Sequence, residues 1–80
     1  MISLYPHKDP ARVIRNAVLD DVNPAKKGCA FLYWQGETDT EPKGNRKRVF
    51  KSVYDLYERG FVDLYQRRNG EEYSYFAVVI

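Results

Sequence analysis

The chain has 80 residues, 44% of them apolar and 15% aromatic, which suffices for one aromatic-rich core and argues against intrinsic disorder. No apolar run, Cys29–Trp34 included, approaches the roughly 18 residues of a membrane span, and the first residues are too mixed for a signal peptide. A single cysteine excludes an intramolecular disulfide framework and a Cys-based zinc cage, so the composition predicts one small, soluble, cytoplasmic domain.

Residues 1–8 read as an N-terminal tail. Asp9-Pro10 is a helix start, with Asp9 placed to cap and Pro10 in the first turn. Val13, Ile14, Ala17, Val18 and Val22 follow at helical spacing, and Asn23-Pro24 stops the run, so the pattern predicts a helix over 10–22. Cys29–Trp34, bounded by Gly28 and Gly36, reads as a buried strand, although a short buried helix has the same pattern. Residues 35–44 read as an acidic, polar loop with room for one helical turn near Thr38–Glu41.

Asn45 is positioned to cap a second helix over 45–59, with Gly60 as its left-handed C-terminal residue. Val49, Phe50, Val53, Tyr54, Leu56 and Tyr57 fall on one broad face of that helix; Lys47, Arg48, Lys51, Ser52, Asp55, Glu58 and Arg59 fall on the other. Two strand-like segments, 61–68 and 71–79, flank Asn69-Gly70, the strongest short hairpin signal. A type I′ turn at Asn69-Gly70 sets Arg68 opposite Glu71, Arg67 opposite Glu72, Leu64 opposite Tyr75 and Val62 opposite Ala77. The pattern therefore predicts an α+β domain with a three-stranded antiparallel sheet. Val53, Leu56, Phe31 and Ile14 are its expected core. Tyr54, Tyr57, Tyr73 and Tyr75 are expected inside, and Tyr5, Tyr33 and Tyr65 at the surface.

Thirteen basic against eleven acidic side chains leave a net charge of +2, too small by itself to announce a nucleic-acid partner. The distribution says more, because Pro42–Tyr54 holds Lys43, Arg46, Lys47, Arg48 and Lys51 and no acid. A helix N-terminus carries partial positive charge, so cations in the first turn are electrostatically misplaced unless an anion meets them. A phosphate backbone would satisfy both the side chains and the exposed N–H groups. The plain alternative is a solvated face that happens to be basic.

The order helix, strand, helix, hairpin, with Leu56, Gly60, Phe61 and Val62 in a Leu-x-x-x-Gly-hydrophobic-hydrophobic pattern, resembles the winged helix-turn-helix superfamily. That resemblance implies a recognition helix at 45–59 and a wing at the hairpin, and makes Asp9–Val22 the first helix. The superfamily has a further helix before the recognition helix. Here Gln35–Gly44 is poor helix sequence, so that helix is a single turn, or 29–36 supplies it, or the likeness extends only to helix plus hairpin. The resemblance implies double-stranded DNA as partner, with Lys47, Arg48, Lys51 and Ser52 toward the major groove. Lys43 and Arg46 would take phosphates, and Arg67 and Arg68 would form the wing contact. A homodimer is expected, since a lone winged helix this small gains affinity by pairing.

Catalysis has little to stand on. His7 is the only histidine and lies in the tail, Cys29 sits in an apolar run, and Asp20 and Asp21 would point about 100° apart on a helix. There is no Gly-rich phosphate loop. No enzyme activity, cofactor or metal is expected. The competing reading is a protein-interaction or inhibitor module on the same scaffold, of the compact kind that viral and mobile elements encode. The acidic stretch Glu37–Glu41 and the excess of aromatics favour that reading.

Overall fold

The computed structural model describes residues 1–36 and 44–80. The Asp9 carboxylate accepts a hydrogen bond from the Arg12 N–H at 3.3 Å, Pro10 occupies the first turn, and this cap opens α1 (Pro10–Val18). The helix stops four residues short of the expected end at 22. The Asp20 side chain accepts from the Val22 N–H at 2.8 Å and the Asn23 N–H at 3.0 Å, an Asx turn that competes with helical bonding. These bonds, Asn23 first, also hold the Asp20 carboxyl below its ordinary pKa. Ala25 N–H then returns to the Ala17 carbonyl, and Val22 is left exposed rather than on the buried face.

The chain next forms β2 (Ala30–Gly36), α2 (Gly44–Glu58), β3 (Val62–Asn69) and β4 (Glu72–Val79). The supposed tail contributes a strand of its own, β1 (Ile2–Ser3), which pairs in parallel with β2 through Ile2↔Phe31 and Ser3↔Leu32. The sheet therefore has four strands rather than three, in the order β1-β2-β4-β3. A two-residue strand leaves no periodicity in a sequence, which is why it escapes a reading by pattern. Of the expected loop 35–44, Gln35 and Gly36 belong to β2 and Gly44 to α2; the helical turn expected near Thr38–Glu41 lies outside the described residues.

α2 ends as expected. Gly60 adopts a left-handed φ of 82°, with Gly60 N–H on the Tyr57 carbonyl and Phe61 N–H on the Leu56 carbonyl, the paired bonds of a Schellman cap. The hairpin turns one residue later than expected. Asn69 stays in the ladder opposite Glu72, and Gly70-Glu71 form the turn. Only Gly70 has positive φ, at 67°, which fits a glycine-led II′ turn and not the I′ turn that needs Asn69 left-handed as well. The register consequently shifts by two, to Val62↔Val79, Leu64↔Ala77, Arg67↔Ser74 and Arg68↔Tyr73. A two-residue shift preserves which side chains share a face. It also brings Val79, otherwise beyond the end of β3, opposite Val62 in the core.

Both helices cover one face of the sheet. Ile14 of α1 and Val49, Val53 and Leu56 of α2 meet Phe31, Tyr33, Val62, Ala77 and Val79 in a single cluster. The four expected core residues are all in it, between 0% and 4% exposed. Val53→Asp should therefore abolish cooperative unfolding by circular dichroism, because an unpaired buried carboxylate costs several kcal/mol and so small a domain has little to spare. A cooperative melt from that variant would contradict this helix face.

Candidate nucleic-acid interface

β2 carries one extra residue. Leu32 faces Phe76 and Trp34 faces Tyr75, so Tyr33 is a bulge, and both Tyr33 and Trp34 turn toward α2. Phe50 of α2 lies against all of them, with ring centroids 5.8 Å from Tyr33, 6.0 Å from Trp34 and 4.8 Å from Tyr75. The first half of α2 thus rests on an aromatic wall. Arg46, one turn earlier, is half-buried with its guanidinium 5.1 Å from the Phe50 centroid, and its Nε is buried without a hydrogen-bond partner among the described residues.

Lys47, Arg48 and Lys51 are exposed and Ser52 is half-buried. No acid stands in the first turn of α2. Asp55 and Glu58 lie toward its far end, where Asp55 is paired with Arg59 at 2.9 Å. Lys43 lies outside the described residues.

The topology brings a second basic group to the same end. β2 finishes at Gly36 opposite Tyr73, which in turn pairs with Arg68, so the strand that leads toward α2 ends level with the hairpin tip. Neither tip arginine makes the expected ion pair with Glu71 or Glu72. The register has moved them apart, and among the described residues Arg59–Asp55 is the only ion pair. Arg68 instead lies 5.8 Å from the Tyr73 ring centroid and donates from Nε to the Gly70 carbonyl at 2.9 Å. Arg67 projects from the opposite face of the hairpin, exposed.

Two groups escaped the sequence reading. Arg12 and Arg15 of α1 join Lys51 and Ser52 around a groove of about 390 Å³ between the helices, with Asp9 and Asp55 also on its walls. Nothing in a linear sequence signals that pairing, since it depends on how the helices cross. The second is a groove of about 470 Å³ between α2 and β3, with Tyr54, Leu64 and Tyr65 among its walls and Lys51 and Gln66 beside them. Tyr54 and Tyr57, expected inside, are 51% and 43% exposed, their rings tilted against one another at a centroid distance of 5.5 Å. The stripe of α2 that the sheet covers is narrower than the apolar arc. Tyr33, expected at the surface, is 5% exposed because of the bulge.

No helix among the described residues is long and apolar enough to cross a membrane, and no group of three or more His, Cys, Asp or Glu among them could hold a metal ion. The chain matches no protein-family model, no curated protein sequence and no solved structure.

Burial, with Tyr75 adding to it, pushes the Tyr33 phenol from 10.0 up to about 12. Between those values the unfolded chain has released a proton that the folded chain keeps. Stability is thus full below pH 10 and falls as pH rises toward 12, by about 2–3 kcal/mol for this group. Urea titrations at pH 8 and pH 11.5 should show a larger loss for the wild type than for Tyr33→Phe. Equal losses would mean that the phenol is not held in the wall.

Proposed function

We propose that the protein binds double-stranded DNA, as a transcriptional regulator or architectural factor acting by occupancy. One observation carries the reading: the acid-free, basic start of α2 and the arginine-bearing hairpin tip lie at the same end of the sheet, and neither tip arginine is engaged in an ion pair among the described residues. Two separate elements that converge their cations suit a rod of phosphates better than a chance basic face does.

The reading is winged-helix-like, with α2 as recognition helix and β3–β4 as wing. β1 is an addition to that plan, and the place of its remaining helix falls on 37–43, outside the described residues. Lys47, Arg48, Lys51 and Ser52 would enter the major groove by the first half of α2, keeping Asp55 and Glu58 away from the phosphates. Arg46, flattened on Phe50, would offer its guanidinium edge to a phosphate, and the ammonium of Lys43, a residue outside the described ones, would take another. Arg67 and Arg68 would touch the flanking backbone or minor groove. A protein partner is the second reading, favoured by the open groove beside the exposed Tyr54 and Tyr65.

Anisotropy titrations of duplex DNA at two salt concentrations test the first reading. Lys47→Ala, Arg48→Ala and Lys51→Ala combined should leave folding intact, since all three are exposed. Binding should weaken by about 1–3 kcal/mol for a base-reading contact, and the log–log salt slope should become shallower by about one unit per phosphate contact removed. Arg67→Ala with Arg68→Ala should weaken binding less, and evenly across sequences. Wild-type protein with no salt-dependent affinity for any duplex below about 100 μM would overturn the reading in favour of a protein partner.

A further inference from the structure

We propose that β3 is the seam of a symmetric dimer, in which two copies pair their β3 strands antiparallel about a two-fold axis at Tyr65 and so join their sheets edge to edge. The sheet order leaves two edges, and they differ. β1 is two residues long, whereas β3 is eight residues long and regular along its whole length. In a two-residue hairpin the closing pair, here Asn69↔Glu72, exchanges both backbone bonds. Asn69, Arg67, Tyr65 and Asp63 therefore bond toward β4, while Arg68, Gln66 and Leu64 turn their N–H and C=O outward; Val62, 0% exposed, is covered within its own chain. An edge of that length with outward-facing donors and acceptors is a template for another strand.

The charges on β3 select both the occupant and the register. An antiparallel two-fold that continues the sheet must match like faces, so the axis passes through a residue and not between two. With the axis at Leu64, Asp63 meets Tyr65 and Phe61 meets Arg67. With the axis at Gln66, Asp63 meets Asn69, Tyr65 meets Arg67 and Leu64 meets Arg68. Only the axis at Tyr65 sets Asp63 of each copy opposite Arg67 of the other, twice, with Tyr65 facing Tyr65 between them. These are the non-hydrogen-bonded positions, where side chains stand closest, while Leu64↔Gln66, once on each side of the axis, supplies the paired backbone bonds. Among the described residues, neither Asp63 nor Arg67 makes an ion pair within its own chain. The groove beside Tyr54 and Tyr65 opens along this edge, where the second copy would flank it.

The seam does not depend on the DNA reading, though it alters one assignment within it: Arg67 serves the dimer and the wing contact falls to Arg68. Sedimentation equilibrium over a concentration series is the test. Wild-type protein should dimerise. Asp63→Arg and Arg67→Asp, each setting like charges face to face, should raise the dimer dissociation constant about tenfold or more. The double variant carrying both changes should restore it, with thermal melts showing that all variants fold. In a Cys29→Ser background, Tyr65→Cys should give an intermolecular disulfide on mild oxidation, because its Cα atoms would lie about 4.5 Å apart, within bridging range. A wild type that stays monomeric, or single variants that dimerise as well as wild type, would overturn the seam. DNA titration of the same variants keeps the two proposals apart, since a monomer that binds DNA contradicts only the seam and a dimer that does not contradicts only the DNA reading.

Discussion

Two consecutive aromatic side chains of β2 face the same way because the strand holds one residue more than its partner. A regular strand would send Tyr33 and Trp34 to opposite faces of the sheet. The bulge instead gives Phe50 a wall to rest on, and that contact holds the first half of α2 against the sheet. Arg46 then lies over Phe50, and the following turns of α2 present Lys47, Arg48 and Lys51 to solvent while Val49 and Val53 go inward. The basic surface is in this sense suspended from an irregularity in the opposite layer. Bulges that re-aim side chains are common beside functional surfaces, and this one sits directly beneath the cations.

The long elements were legible in the sequence because each carries its own punctuation. Asp9-Pro10 marks the start of α1, Gly60 the end of α2, and Gly70 the hairpin. What escaped depends on competition or on distance. The end of α1 is decided by a side chain, Asp20, that outbids the helix for two N–H groups. The hairpin register looked well determined by Arg67–Glu72 and Arg68–Glu71, yet alternating charge near a turn is satisfied on paper without being decisive. Burial of Val79 against Val62 is worth more than two exposed ion pairs.

The candidate site divides in the same manner. Its charges were visible as a run along the chain, and their location on the outer face of a helix followed from periodicity. That the hairpin tip would lie at the same end of the sheet was not readable, since it follows from β2 pairing with β4 rather than with β3. Nor was the exchange of roles between Tyr33 and Tyr54, because a bulge leaves no mark on composition.

The position of β2 has a further consequence for how the domain is assembled. Phe31 is flanked by Ile2 on one side and Ala77 on the other, so neither neighbour is local in sequence. The segment from α2 to β4, by contrast, closes on itself through a cap and a two-residue turn, and carries Val49, Val53, Leu56, Val62, Ala77 and Val79 of the core. Loop-closure entropy therefore favours early formation of the helix–hairpin half, with β2 docking onto the free edge of β4 afterwards. Substitutions in Tyr33 or Phe31 would then mainly speed unfolding, and those in Val53 or Leu64 would slow folding itself. The basic end of α2 would belong to the half that folds first, and the aromatic wall that steadies it to the half that arrives last.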